Sequence, residues 1–291
     1  MPQIKQITKG DFDVSEIVGQ VGNTLIVSRT DMNHAAELYT VDIATGNMKQ
    51  LTHVNDATYA SLSLGKTERR FVKTTDGKDM LVWVVYPPNF DANKKYPTLL
   101  YCQGGPQSAI TQFYSFRWNF QLMAANGAID DVSKEKYVDK NRLGCVGASY
   151  GGYSVYMLAG IHNNRFKTFI AHDGVFDLRS MYGTTEEMFF TNWENGGPYW
   201  DKNNAAAQKT YSQFNPINYV DKWNTPILIY QGGKDYRVPI EQGLQAFQAA
   251  QLRGIKSKLV YLPDQNHWVL SSQDALVWQH EFFNWLSETL K

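Results

Sequence analysis

The rhythm of hydrophobic and polar positions changes near residue 97 of this 291-residue chain. Before that point the apolar runs are short and rich in β-formers: Asn23–Arg29, Ala36–Asp42 and Met48–Thr52, the last two joined by the turn signal Ala44-Thr45-Gly46-Asn47. They predict about one antiparallel sheet, which is marginal in water unless it packs on something larger. Two alternating runs, 69–75 and 80–86, flank Asp76-Gly77-Lys78, a hairpin signal, and Pro87-Pro88 stops the second. Beyond residue 97, continuous apolar runs at Thr98–Gln103, Arg142–Val146, Lys167–Ala171, Ile227–Gln231 and Ser257–Leu262 alternate with helical stretches at about 112–125, 151–161, 240–253 and 273–290. Strands without polar alternation, separated by helices, predict an α/β class with a mostly parallel sheet covered on both faces. Pro239 at the start of the third of these helices and Gly254 past its end fit the usual asymmetry of helix termini. Ile240, Leu244 and Phe247 share one face of it, and Trp278, Phe282 and Trp285 share one face of the last helix, so both sets are expected in the core.

Composition narrows the function classes. Lys+Arg and Asp+Glu are both 28, so the chain has no cationic surplus with which to release counterions, and a general nucleic-acid binder is not expected. No run of 18 apolar residues occurs, so no membrane span is expected. The opening MPQIKQITKGDFDVSE lacks the apolar stretch of a signal peptide. That leaves the compartment, periplasm or cytoplasm, undetermined, because the front of the chain reads as truncated. Cys102 and Cys145 lie in apolar strand-like runs and are expected to be buried free thiols. No His/Cys/Asp/Glu group has metal-ligand spacing, so neither a metal site nor an organic cofactor is implied.

The chemistry concentrates where strands end. Gly147-Ala148-Ser149-Tyr150-Gly151-Gly152 follows the strand RLGCV and opens the apolar stretch YSVYMLAG. A G-x-S-x-G sequence between a strand and a helix is the context of a nucleophile elbow, where a sharp turn holds a serine hydroxyl at the edge of the sheet. The competing reading is a glycine-rich turn with an incidental serine. A serine needs a base, and the base needs an orienting carboxylate. Asp235 follows the strand PILIYQ, and His267 follows SKLVYL, so Ser149, Asp235 and His267 all emerge at the end of the sheet where ligands bind in such folds. Asp173, after TFIAHD, and Asp264 are weaker candidates for the acid. His34, His53, His162 and His280 read as surface or capping residues. Backbone N–H groups of Tyr150 and of the loop Gln103-Gly104-Gly105-Pro106-Gln107 are the candidate oxyanion donors, since glycines let the backbone approach a developing negative charge. A plain tight turn is the alternative for that loop.

QGGP after a strand, GASYGGY at the elbow, GGKDYRVP at the acid and DQNHW at the base together resemble the prolyl oligopeptidase family of serine peptidases, and most of all its dipeptidyl peptidase and acylaminoacyl peptidase branches. The resemblance implies an α/β-hydrolase domain over 66–291. It also implies that 1–65, with LYTVDIATGNMKQLT, is the remnant of the last blade of a β-propeller, and that the chain is the C-terminal piece of a longer enzyme. The implied activity is hydrolysis of short peptides, releasing dipeptides or acyl-amino acids through an acyl-enzyme. Peptides are then the partners, and the question of a homodimer stays open. The implied catalytic residues are Ser149, Asp235 and His267. Tyr150, Gly104, Gly105 and Gln103 border the oxyanion site, and Arg237, Val238, Phe176, Tyr182 and Trp193 face substrate. An esterase or amidase on the same fold, or a catalytically incomplete binding module, are the alternatives.

The sequence departs from the family pattern in two places. Gln103 stands where relatives often have Tyr or His. The stretch between Gly105 and Ser149 is too short for the helix, strand, helix and strand that the hydrolase sheet should pass through there. AIDDVSKEKY directly after Asn126-Gly127 reads as the back half of a helix, which predicts a deletion at Gly127/Ala128 that removes a central strand.

Overall fold

The computed structural model describes residues 4–126 and 135–290, so the predicted junction at Gly127/Ala128 lies outside the described residues. The chain divides into two compact units, Met1–Asp91 with Ala109–Ile129, and Ala92–Ser108 with Asp130–Lys291.

In the first unit β1 (Asp13–Val21), β2 (Thr24–Asp31), β3 (His34–Asp42) and β4 (Met48–Gln50) form an antiparallel sheet in sequential order, followed by a short helix α1 (Asp56–Ala60). Strand β1 has no counterpart among the predicted elements. Its pairing with β2 shifts register between Val14 and Glu16 and again between Ile17 and Gly19, and Val14, Ile17, Val18 and Val21 are exposed. Bulges of this kind break the period-two pattern by which a strand is recognised. Val27 and Val41 supply buried positions. A separate hairpin, β5 (Thr67–Lys73) and β6 (Asp79–Val85), turns where Asp76-Gly77 predicts it, with Gly77 at φ +81°.

The helix predicted over 112–125 is only α2 (Phe120–Ala125). Ser115 Oγ accepts the Trp118 N–H at 3.0 Å, and Asn119 Oδ1 caps the helix by accepting the Leu122 N–H at 2.9 Å. These side chains bind backbone groups that a longer helix needs, and so fix its start at 120.

In the second unit five parallel strands lie in the order β11-β10-β9-β8-β7: β7 (Tyr96–Cys102), β8 (Val138–Ala148), β9 (Thr168–His172), β10 (Ile227–Gly232) and β11 (Ser257–Leu262). All five predicted strands are present. β9 and β10 are buried along their whole length, as continuous apolar runs require. Flanking them are α3 (Tyr150–Ile161), α4 (Leu178–Thr184), α5 (Met188–Glu194), α6 (Ala205–Gln213), a 3₁₀ turn at Pro216–Lys222, α7 (Ile240–Leu252) and α8 (Ser272–Thr289). This is the α/β-hydrolase arrangement. Among the described residues β7 pairs only with β8, and β6 only with β5. Cys145 is buried and Cys102 half-buried; both are free thiols, with sulfurs 3.7 Å apart across β7 and β8.

Helix α8 buries Trp278, Phe282 and Trp285 as predicted, with Trp278 stacked between Tyr230 and Phe282. Helix α7 does not bury the face predicted for it. Its buried residues are Gln242, Gly243, Ala246 and Ala250, while Leu244 is exposed. Gln242 turns inward because its Oε1 accepts the N–H groups of Phe176 and Asp177, both at 2.9 Å, satisfying backbone that would otherwise be buried unpaired. Gly243 lets the helix lie against Gln231, whose side chain a Cβ would meet at 2.6 Å.

Candidate active site

Strand β8 ends at Ala148 and α3 begins at Tyr150, so Ser149 turns the chain within one residue. It does so at φ +61° and ψ −123°, a strained conformation for a residue with a side chain that costs about 1–3 kcal/mol. The surrounding glycines are there because three backbones meet. A Cβ on Gly147 would lie 2.6 Å from Gly151, one on Gly151 2.1 Å from Cys102 O, and one on Gly152 2.5 Å from Gly174 Cα. The Ser149 N–H donates to His172 O at 2.9 Å, pinning the elbow to the end of β9. The unpaired N–H groups at the start of α3 give this corner a partial positive charge.

Asp235 lies three residues past β10 and is 3% exposed. Its Oδ1 accepts the N–H groups of Arg237 and Val238, each at 2.9 Å, and its Oδ2 is 2.7 Å from His267 Nδ1. An ionised carboxylate only accepts, so His267 carries its proton on Nδ1 and keeps Nε2 as the basic nitrogen. The two loops interlock through bare backbone: a Cβ on Gly232 would lie 2.4 Å from Asn266 O, and one on Gly233 2.6 Å from Pro263 O. Asp264 pairs with Lys234 at 2.7 Å on the surface, each holding the other's charge, which lowers the carboxyl pKa and raises that of the ammonium. Asp173 and His172 form a second pair at the end of β9.

The loop after β7 closes on itself. Gln103 Nε2 donates to Ser108 Oγ at 3.3 Å, and Ser108 Oγ donates to Gly104 O at 2.9 Å. A Cβ on Gly104 would lie 3.0 Å from Ala148 O and 3.5 Å from Ser149 Cβ, so this backbone runs directly beside the serine. Gly105 adopts φ +135°, which only glycine tolerates. The Gln107 amide donates to Glu194 Oε1 at 2.6 Å, tying the loop to α5.

Of the predicted substrate-facing residues, the structure brings Tyr150, Tyr182 and Val238 into one apolar cluster with Tyr153, Val175, Met181 and Tyr211. Burial, then the nearby Glu194 charge, raise the Tyr150 phenol pKa. Trp193 is largely exposed and lines a cavity of about 420 Å³ with Gly105, Pro106, Phe189, Phe190 and Glu194. Phe176 is elsewhere: its ring, 1% exposed, packs on Tyr156 and Trp223. Arg237 is gripped on two sides, with Nε 2.7 Å from Glu187 Oε1 and its guanidinium 5.0 Å from the Trp268 ring centre. Phe190, which joins both the cluster and the cavity, was not picked out from the sequence. The adjacent Met188-Phe189-Phe190 run on a short helix was the available signal.

Asp173, Asp235 and His267 also bring three ligand-type atoms within 4.8 Å of one another. N–H donors already engage both carboxylates there, so this group reads as a hydrogen-bonded centre.

A strained serine elbow, a glycine-lined loop beside it and a buried Asp–His pair on a parallel sheet define the class: an α/β-hydrolase with the layout of a serine hydrolase. The model of the prolyl oligopeptidase family matches residues 126–291, and the chain belongs to that family, on its dipeptidyl peptidase and acylaminoacyl peptidase side. It is 45% identical over 325 residues to dipeptidyl-peptidase 5 of Porphyromonas endodontalis and 44% identical over the same length to that of Porphyromonas gingivalis, aligning 99% of this chain and 47% of each relative. Among solved structures, Pyrococcus horikoshii acylaminoacyl peptidase matches with a TM-score of 0.84 at 19% identity, over 99% of this chain and 51% of that one. Porphyromonas gingivalis dipeptidyl peptidase 4 matches with a TM-score of 0.69 at 18% identity, over the same shares. These two likenesses speak to the fold. The chain spans about half the length of the curated relatives it matches. Among the described residues no helix is long and apolar enough to cross a membrane.

Proposed function

We propose that this chain carries the catalytic unit of a serine peptidase that removes dipeptides from the N-terminus of short peptides. The observation that carries the reading is the buried Asp235–His267 pair, 2.7 Å apart, at the same sheet edge as the strained Ser149. His267 Nε2 takes the Ser149 proton as Oγ attacks the scissile carbonyl, and Asp235 holds the tautomer and stabilises the imidazolium. The Tyr150 N–H and a donor from the Gln103–Gly105 loop receive the oxyanion. The imidazolium then protonates the leaving amine, and water, activated by the same base, releases the dipeptide. Tyr150, Tyr182, Val238 and Phe190 wall the pocket for the residue before the scissile bond, and Arg237 presents its remaining N–H groups to a substrate carbonyl. Dipeptide release is favoured over acyl-amino acid release because the relatives at 44–45% identity are named dipeptidyl-peptidase 5, whereas the named acylaminoacyl peptidase is a fold-level neighbour.

The four-stranded sheet β1–β4, sequential and antiparallel, supports reading 1–65 as a propeller blade. Two observations support the deletion near 127/128: β7 has a strand partner on one edge only among the described residues, and the alignment to the P. endodontalis relative runs over more positions than this chain has residues.

The test uses the full-length protein. A fluorophosphonate probe should label Ser149, and a dipeptidyl chromogen should be cleaved in preference to acylaminoacyl and simple ester chromogens. Preference for the ester establishes the esterase reading instead, and no labelling establishes a binding module.

A further inference from the structure

The buried pair His172–Asp173 lies outside the chemistry described so far. Strand β9 stands between β8 and β10, so its end falls between the strand that delivers Ser149 and the strand that delivers Asp235. Asp173 sits at that end with φ +45° and no exposed surface. Its N–H donates to Tyr230 O at 3.0 Å. Its Oδ1 accepts the Gly232 N–H at 2.8 Å, and Gly232 opens the loop that carries Asp235. Its Oδ2 is 2.9 Å from His172 Nε2. Trp278 Nε1–H donates to His172 Nδ1 at 3.1 Å. An indole can only donate, so His172 Nδ1 is unprotonated and the proton of the neutral ring is on Nε2, close to Asp173 Oδ2 without hydrogen-bond alignment. His172 therefore supplies no cation.

We infer that Asp173 is a positioning residue of the triad: a second buried carboxylate that anchors the acid loop through Gly232 and holds negative charge beside the His267–Asp235 pair. The carboxylates of Asp173 and Asp235 and a ring nitrogen of His267 lie within 4.8 Å of one another. The only group of the three able to become positive is His267, at the moment it takes the serine proton. Other titratable groups near this corner include the buried Tyr156, whose phenol pKa is raised by burial and then by the Asp173 charge, Arg237, held by Glu187 and Trp268, and the exposed Lys234–Asp264 pair. The inference rests on the triad reading above.

An opposite charge within about 4–6 Å moves a pKa by roughly 1–3 units toward the charged form. Asp173 thus favours the imidazolium, and loss of its charge lowers the pKa of the base. In the full-length protein, Asp173→Asn removes the charge and keeps an acceptor for the Gly232 N–H. The acid limb of its kcat/KM–pH profile should move down by about one unit, and its plateau kcat should fall about tenfold, with KM nearly unchanged. Fluorophosphonate labelling should slow in parallel. Asp173→Ser, which keeps a hydroxyl acceptor, serves as the second variant if the amide, facing His172 Nε2–H, prevents folding. If neither variant folds, Asp173→Glu decides: it keeps the charge, so its acid limb should stay with that of the unaltered protein, and a limb moved down by about one unit overturns the inference. A folded Asp173→Asn or Asp173→Ser with an unmoved acid limb also overturns it. Retained labelling in Ser149→Ala, by contrast, sinks the triad reading itself.

Discussion

Two His–Asp pairs sit at neighbouring strand ends of this sheet with nearly the same spacing, 2.7 Å for His267–Asp235 and 2.9 Å for His172–Asp173. They differ in what surrounds the imidazole. His172 has no exposed surface, lies against the rings of Tyr230 and Trp278, and takes an indole N–H on Nδ1. Its Nδ1 is thereby spent on the indole, and its Nε2 is closed in beside its own aspartate. His267 is 8% exposed, stands edge-on to Trp268, and gives its Nδ1 proton to Asp235. The nitrogen left over, Nε2, is the basic one. A His–Asp contact is not by itself a base: which ring nitrogen is spent on the fold decides whether any basicity remains for chemistry.

The sharpest way to break this contrast is to remove the nucleophile. Ser149→Ala should lower kcat by about 10⁶ and abolish probe labelling while leaving the thermal midpoint in place, since alanine keeps the Cβ and meets the same backbone conformation. Activity within tenfold of the parent would show that neither pair serves Ser149. Next in size, Asp235→Asn should cost about 10⁴ in kcat, because His267 then takes the wrong tautomer. Should Asp173→Asn produce that collapse instead, the roles of the two pairs are exchanged.

His172→Phe tests the other half. It strips the Trp278 indole of its acceptor and Asp173 of its neighbour, so stability should drop by about 1–3 kcal/mol, with kcat reduced far less than in Asp235→Asn. Denaturant titration and initial rates on one preparation separate the two effects. A loss of rate as large as that of Asp235→Asn, without a change in stability, would make His172 part of the chemistry.

The smallest effect concerns a histidine outside both pairs. Burial holds the pKa of His162 below its ordinary value, with a ring N–H donated to Asn224 opposing the shift and the Lys167 and Arg165 charges adding to it. Its Nδ1 accepts the Phe166 N–H at 3.1 Å, which requires an unprotonated nitrogen. A depressed folded-state pKa means the contribution is fully present above about 6.5 and is lost as pH falls through the lower folded value. Thermal midpoints should therefore decline on acidification from pH 7, and His162→Gln should flatten that decline. An identical slope in the variant assigns the acid sensitivity to other groups.

The five parallel strands, the elbow, and the acid and base candidates at strand ends are legible in the residues around them. These features are local. A glycine-flanked serine encodes its own turn, and a doubly buried strand must be apolar throughout. The rest came only with the packed fold, because it depends on neighbours far along the chain. The helix over 112–125 shortened to α2 once Ser115 and Asn119 took its backbone donors. Helix α7 turned Gln242 inward to serve the N–H groups of Phe176 and Asp177, sixty-odd residues away. Phe176 went to the core beside Trp223, while Phe190 joined the cluster around Val238. Asp173 reads in sequence as a weak competitor of Asp235. Only the strand order, which sets β9 between β8 and β10, makes it a neighbour of both the acid and the base. Strand order is fixed by how the whole sheet packs, and no window of residues around Asp173 contains it.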